Sequence, residues 1–266
     1  MKARLCYLAA VLGAAVSMPA QVGAPKVGVV RYAGGDLRAV FGIAENFVVD
    51  RATLGAADAA SFSDAGGLIA KGGRIELIGA DGKLAAQFDS GERAPVLNVD
   101  GALTSAIAWL PEAQALVAWN GKSFRRVEVR SSLLTHVSCV RVLDANTAEL
   151  LVTEEGGTVS AVAVSLRSGE VLSVHLLAGV RGPAFVQQSF VIFADERGLE
   201  ISAANGSVRT LPIDAQAVTF ERSSSDWVHI ASADRKQNWL LRVKGGALDW
   251  CELPAAPQSA LAESAR

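Results

Sequence analysis

"RIELIGADGKLAAQF", Arg74–Phe88, alternates apolar and polar side chains, breaks on a short polar turn, and resumes the alternation. A period of two is the mark of a half-buried strand, and Gly82 offers the positive φ that a tight hairpin turn requires. One such hairpin fits many folds; a regular series of them fits few. Turns of the same chemistry recur at "WNGK" (Gly121), "RSGE" (Gly169), "ANGS" (Gly206) and "KGGA" (Gly246), each between apolar-alternating runs. The successive intervals from Gly82 are 39, 48, 37 and 40 residues. A period of about 40 residues with four short strands per unit is the length of a β-propeller blade.

Written out, the first complete copy is "AASFS / GLIAK / RIELIG / KLAAQF" over 59–88, and the second ends at residue 129. Three more occupy 138–176, 184–213 and 217–253. The 48-residue interval places an insertion in the third copy or the segment leading into it, around "RSSLLTHV" and "DANTAE". Residues 27–54 contain two or three strands and read as a degenerate sixth blade, completed by the other terminus. Helical periodicity does not persist for three turns after the first two dozen residues. The sequence therefore predicts an all-β fold, a β-propeller of four-stranded blades over 27–253, six in number, with five or seven as alternatives. A β-sandwich is the competing fold, but it gives no reason for glycines at a common interval. Residues 254–266, "PAAPQSALAESAR", are expected to be a disordered tail.

The first 24 residues differ from the rest. Lys2 and Arg4 precede the uncharged run "LCYLAAVLGAAV" (5–16), with small residues at Ala20 and Ala24 where a signal peptidase would cut. Twelve residues make about 18 Å of helix, too short for a hydrocarbon core of about 30 Å. Residues 1–24 thus read as a signal peptide, so the expected location is periplasmic or secreted and the protein is not integral to a membrane.

Of 266 residues, 50% are hydrophobic and 20% charged, a globular composition. A net charge of −2 and a pI near 6.0 argue against a nucleic-acid partner. The densest cationic group, Arg125, Arg126 and Arg130, reads as the solvated face of a strand and its turn. Cys6 falls in the signal peptide. Cys139 and Cys251 fall in copies two units apart, which favours two separate buried thiols over a disulfide and leaves the bridge open.

In period, strand grammar and turn chemistry the chain resembles the secreted bacterial β-propellers of the WD40-like and YVTN-like kind, over about 27–253. It resembles most a group that opens with "VRYAGGDLRAVFGIAENFVV" (30–49) and continues with "SFSDAGGLIAK" (61–71). That resemblance implies architecture only, since propellers host enzymes, ligand binders and scaffolds alike. No WD dipeptide occurs; Asp226–Trp227 and Asp249–Trp250 have the reverse order. "SFSDAGGL" (61–68) is similar to the Asp-box turn of sialidase-type propellers around Asp64 and Gly66, without its aromatic end, and reads as a plain β-turn.

Chemical signatures are sparse. His136, His175 and His229 lie in separate copies and share no metal-ligand spacing. No nucleophile elbow, phosphate loop or calcium loop occurs. Asp64, Asp100, Asp144, Asp195 and Asp234 recur near strand ends, where carboxylates cap turns, although at a channel they would suit cation binding or glycoside chemistry. Trp109, Trp119, Trp227, Trp239 and Trp250 lie in strand runs and are expected mostly to pack between blades. No residue is assigned as catalytic, cofactor-binding or metal-binding, and the ligand-binding residues are left open. The reading is an exported, monomeric, cofactor-free propeller acting as a non-catalytic binding or interaction module for a protein or glycan, in the cell envelope or outside the cell. The alternative is a secreted propeller hydrolase or lyase acting on polysaccharide, with carboxylates and a histidine at the ring mouth. A structural role in the envelope is a third possibility.

Overall fold

The structure, a computed structural model, describes residues 24–43, 46–213, 217–244 and 247–255. The proposed signal peptide, the Gly246 turn and nearly all of the C-terminal tail lie outside the described residues. Within them, the chain forms six four-stranded antiparallel sheets arranged as a β-propeller, with one three-residue 3-10 turn, Ala33–Gly35, as its only helical element. No helix among the described residues is long and apolar enough to cross a membrane.

The first blade holds β1 (Lys26–Arg31), β2 (Asp36–Ile43), β3 (Asn46–Val49) and β4 (Gly55–Ala56). The second holds β5 (Ala59–Ser63), β6 (Gly66–Lys71), β7 (Arg74–Gly79) and β8 (Leu84–Asp89). The third holds β9 (Val96–Val99), β10 (Ala106–Leu110), β11 (Ala115–Trp119) and β12 (Phe124–Glu128). The fourth holds β13 (Val137–Asp144), β14 (Thr147–Thr153), β15 (Thr158–Ser165) and β16 (Val171–Arg181). The fifth holds β17 (Ala184–Gln187), β18 (Phe190–Asp195), β19 (Gly198–Ala203) and β20 (Val208–Leu211). The sixth holds β21 (Val218–Arg222), β22 (Trp227–Ser232), β23 (Asn238–Lys244) and β24 (Ala247–Glu252).

The opening hairpin is β7–β8, the outer half of the second blade. Gly82 in its turn has φ +76°, and the equivalent Gly121, Gly169 and Gly206 have φ +88°, +75° and +81°. The shared interval thus reflects one backbone requirement, repeated at the turn from third to fourth strand. The extra length of the fourth blade is spread between the segment 129–136, pinned by buried Leu134, and strands up to 11 residues long.

Each blade buries both faces of its sheet against its neighbours, so its middle strands are apolar on successive residues. All five residues of β10 (AIAWL) are buried, and Trp109 is 1% exposed between the third and fourth blades. Trp239 packs between the fifth and sixth blades, and Trp227 meets Phe47 of the first edge-to-face at 5.5 Å. Trp119 is half-buried, tilted against Phe124 at 5.2 Å, and Trp250 stays exposed.

The first blade departs from the pattern. Strands β3 and β4 share one edge of β2, separated by a bulge, so its four strands form three rows. Arg38, 1% exposed, fills the bulge: it donates to the carbonyls of Asp50 and Arg51 and pairs with Asp36. The last described strand does not complete this blade, because β24 pairs with β23. The direction of β1 is also reversed. Val29 bonds Ser223, while Arg31, further along, meets the earlier Glu221, so β1 runs antiparallel to β21. Elsewhere first strands run parallel, as Ser138 at the start of β13 bonding Ala184 at the start of β17 shows. Strand β1 lies against β5 and β22, and β5 and β21 touch in front of it. It therefore stands one row out from the axis, and among the described residues the first blade has no innermost strand.

Candidate functional site

The innermost strands β5, β9, β13, β17 and β21 surround the axis and are laced by side chains that replace ladder bonds between blades. Asn98 Nδ2 donates to the Val140 carbonyl (2.7 Å), and Gln187 Nε2 donates to the Ser225 carbonyl (2.7 Å). The Ser225 hydroxyl accepts from the Asp64 amide at 3.4 Å, tying the sixth blade to the second. A cavity opens at each end of this bundle.

Where the innermost strands begin, a cavity of about 300 Å³ is lined mainly by apolar side chains, Ala60, Pro95, Leu97, Pro183, Phe185 and Phe220 among them. Its charged corner is closed on itself. Glu221 accepts from Arg31 Nε (2.9 Å) and Arg235 (2.9 Å), and its second oxygen lies 3.7 Å from His229 Nδ1. Asn238 Nδ2 donates to the Arg235 carbonyl (3.0 Å), which leaves its Oδ1 to accept from His229 Nε2 (3.0 Å). Burial raises the Glu221 carboxyl, but the His229 ring and the Arg31 and Arg235 guanidinia outweigh it and hold the pKa at about 2. A carboxylate so fixed is a structural anion, poorly suited to accepting or giving a proton near neutrality.

Where the innermost strands end, a cavity of about 220 Å³ has a different character. Arg222, Arg141, Asn98, Asp100 and Gln188 contribute to its wall. Arg141 is committed to Glu149, with Nε at 2.6 Å from Oε2. Arg222 has neither an ion pair nor a hydrogen bond among the described residues, and its Nε is buried without a partner. Burial pulls its guanidinium below the ordinary arginine value, while the Asp100 carboxylate opposes that shift. Asp100 Oδ2 is used by Thr104 (2.5 Å) and the Ser105 amide (3.1 Å), but Oδ1 is buried and unpartnered. Asn98, 4% exposed, likewise has an unpartnered Oδ1. Gln188 holds φ +55°, an uncommon conformation for a non-glycine residue, at the rim.

The other residues singled out from the sequence are dispersed. Asp144, Asp195 and Asp234 each accept the backbone amide two residues on, the ordinary turn use of a carboxylate. Asp64 is exposed in the β5–β6 turn, where Gly66 is needed because a Cβ would stand 2.1 Å from the Ile78 carbonyl. His136 is exposed before β13, His175 is exposed on outer strand β16, and His229 alone is buried. Among the described residues no group of three His, Cys, Asp or Glu is placed to hold a metal. Cys139 and Cys251 are separate free thiols. Arg125, Arg126 and Arg130 line an open outer groove with Arg167, whose carbonyl accepts from Arg125 (2.9 Å), and Glu128 and Glu170 interleave with them. Arg222 and Asn98 carry no sequence motif, and only the convergence of strands distant in the chain distinguishes them.

No protein-family profile and no curated protein sequence matches the chain. Among solved structures, a chain from a nidogen/laminin complex superposes with a TM-score of 0.55 at 9% identity, over 83% of this chain and 91% of that one. Apo AztD from Citrobacter koseri superposes with a TM-score of 0.46 at 14% identity, over 87% of this chain and 70% of its own. The first likeness shows the propeller fold alone, and the second carries no weight.

Proposed function

We propose that the protein is an exported, non-catalytic binding module whose recognition end is the axial cavity around Arg222. The observation that carries this reading is the unpaired guanidinium itself. A half-buried guanidinium whose Nε is enclosed without a protein partner destabilises the free protein, and an arriving anionic or acceptor group relieves that cost. Export rests on the charged start and short apolar run of residues 1–24, and kinship with WD40-like or YVTN-like secreted propellers on repeat period and turn chemistry. Neither cavity supports the polysaccharide hydrolase or lyase reading. One wall contains Asp100 bound to its own turn, and the other contains Glu221 locked between two arginines.

The test offers the immobilised chain, without residues 1–24, to a glycan array and to an envelope-protein extract. Arg222→Gln is run beside Phe185→Ala at the opposite cavity. A ligand retained by the parent and the Phe185 variant but lost by the Arg222 variant supports the reading. Retention indifferent to Arg222, or release of reducing ends from polysaccharide, overturns it.

A further inference from the structure

We infer that the Arg222 cavity takes a small carboxylic acid that also bears a hydrogen-bond donor, an amino or hydroxy acid. This rests on the reading of that cavity as the recognition end and names its ligand class. The unpartnered groups on its wall are of two kinds. One is Arg222, whose planar fork matches a carboxylate bidentately. The other comprises two acceptors without donors, Asn98 Oδ1 and Asp100 Oδ1. The orientation of Asn98 is set by its amide, because Nδ2 already serves the Val140 carbonyl (2.7 Å). Its oxygen is thus left as an acceptor with no donor in the protein, on a residue only 4% exposed.

Charge narrows the class. The charged residues of the wall are Arg222, Arg141 and Asp100, and Arg141 is already paired with Glu149, so the wall presents one uncommitted cation and one carboxylate. A zwitterion or a hydroxy monoacid matches that arrangement, whereas a multiply charged phosphate would meet the Asp100 carboxylate uncompensated. Size narrows it further. About 220 Å³ is the liquid volume of roughly seven waters, below the usual range for drug-sized ligands and suited to a molecule of amino-acid scale.

The experiment uses the full chain lacking residues 1–24. Thermal-shift screening covers the common amino acids, lactate and malate at millimolar concentration, and the best binder is then titrated calorimetrically beside its deaminated or deoxy analogue. The expected result is a binder that raises the Tm and an analogue at least about tenfold weaker. Arg222→Gln abolishes binding; if that variant does not fold, Arg222→Lys keeps the charge, loses the fork, and still weakens binding by about tenfold. Asp100→Asn weakens an amino acid more than a hydroxy acid. Equal affinity for the analogue overturns the donor half of the inference, and unchanged affinity in the Arg222 variants overturns the site. If no acid binds while the Arg222 variant still loses its partner in the retention test, the ligand class is wrong and the binding-module reading stands.

Discussion

Val29 and Ser223 exchange two hydrogen bonds: the Val29 amide donates to the Ser223 carbonyl (3.1 Å), and the Ser223 hydroxyl donates to the Val29 carbonyl (2.9 Å). They lie 194 positions apart in the chain and join the first blade to the last. Among the described residues no strand is shared across this junction, so these bonds, the Arg31–Glu221–Arg235 cluster and the Tyr32 hydroxyl on the Pro254 carbonyl (3.0 Å) hold the two blades together.

Closure is therefore sensitive to small changes at this junction. A Cβ on Gly28 would stand 2.3 Å from Ser223 Oγ and 2.6 Å from its carbonyl oxygen. Gly28→Val is expected to destabilise by about 3 kcal/mol through overpacking, and Ser223→Ala by about 1 kcal/mol through the lost bond. Urea unfolding measures both; a Gly28 variant as stable as the parent contradicts the packing at the junction.

Acid acts on the same cluster. The folded pKa of Glu221, about 2, lies below its ordinary 4.5. Its pairing thus contributes stability above about pH 4.5 and loses it as the pH falls toward 2. Glu221→Gln is expected to cost about 3 kcal/mol at pH 7, because two arginines lose their partner, and to flatten the fall in stability below pH 4.5. Denaturation midpoints for both proteins across that pH range decide it. An acid limb equally steep in the variant assigns the effect to other groups.

The repeated turn glycines are alike in φ and unlike in surroundings. Around a Cβ on Gly82 nothing lies within 4 Å, whereas one on Gly169 would stand 1.9 Å from the Glu128 carbonyl of the preceding blade. Gly82→Ala is expected to cost about 1 kcal/mol, the left-handed backbone penalty alone. Gly169→Ala adds overpacking and is expected to cost about 3 kcal/mol. Equal losses in thermal unfolding would mean that the two turns do not differ in packing.

The thiols are expected to be silent in the native state. Burial raises Cys139 and Cys251 to about 11 each, so little thiolate is present at pH 8. Ellman's reagent should leave both untouched until denaturant is added, and reducing agent should not change gel mobility. Rapid native labelling of either would contradict its burial.

The blade series is legible because it depends on local chemistry. A turn glycine between two alternating runs announces a hairpin wherever it occurs, and five such glycines align in the sequence without reference to tertiary contacts. The first blade is less legible. Residues 27–54 show strands, but nothing in "VGVVRY" states that β1 runs against β21 or stands a row out, since direction follows from closure and not from composition. The cavity is the least legible. Arg222 in "TFERSSS" looks like any solvated arginine, and its isolation depends on where residues 98, 100 and 141 arrive. The histidines and aspartates attract attention in sequence, yet most of them cap turns or face solvent.

Among the described residues no strand of the first blade joins the sheet of the last, so the ring is topologically an open arc bent until those blades meet. The two blades can part without breaking a strand ladder, so the first event expected in dismantling the molecule is a parting at Val29 and Ser223, with every blade still intact on either side. Amides along that line should exchange with solvent ahead of those in the middle strands of the third and fourth blades, and a protein shortened or relinked there would keep its remaining sheets.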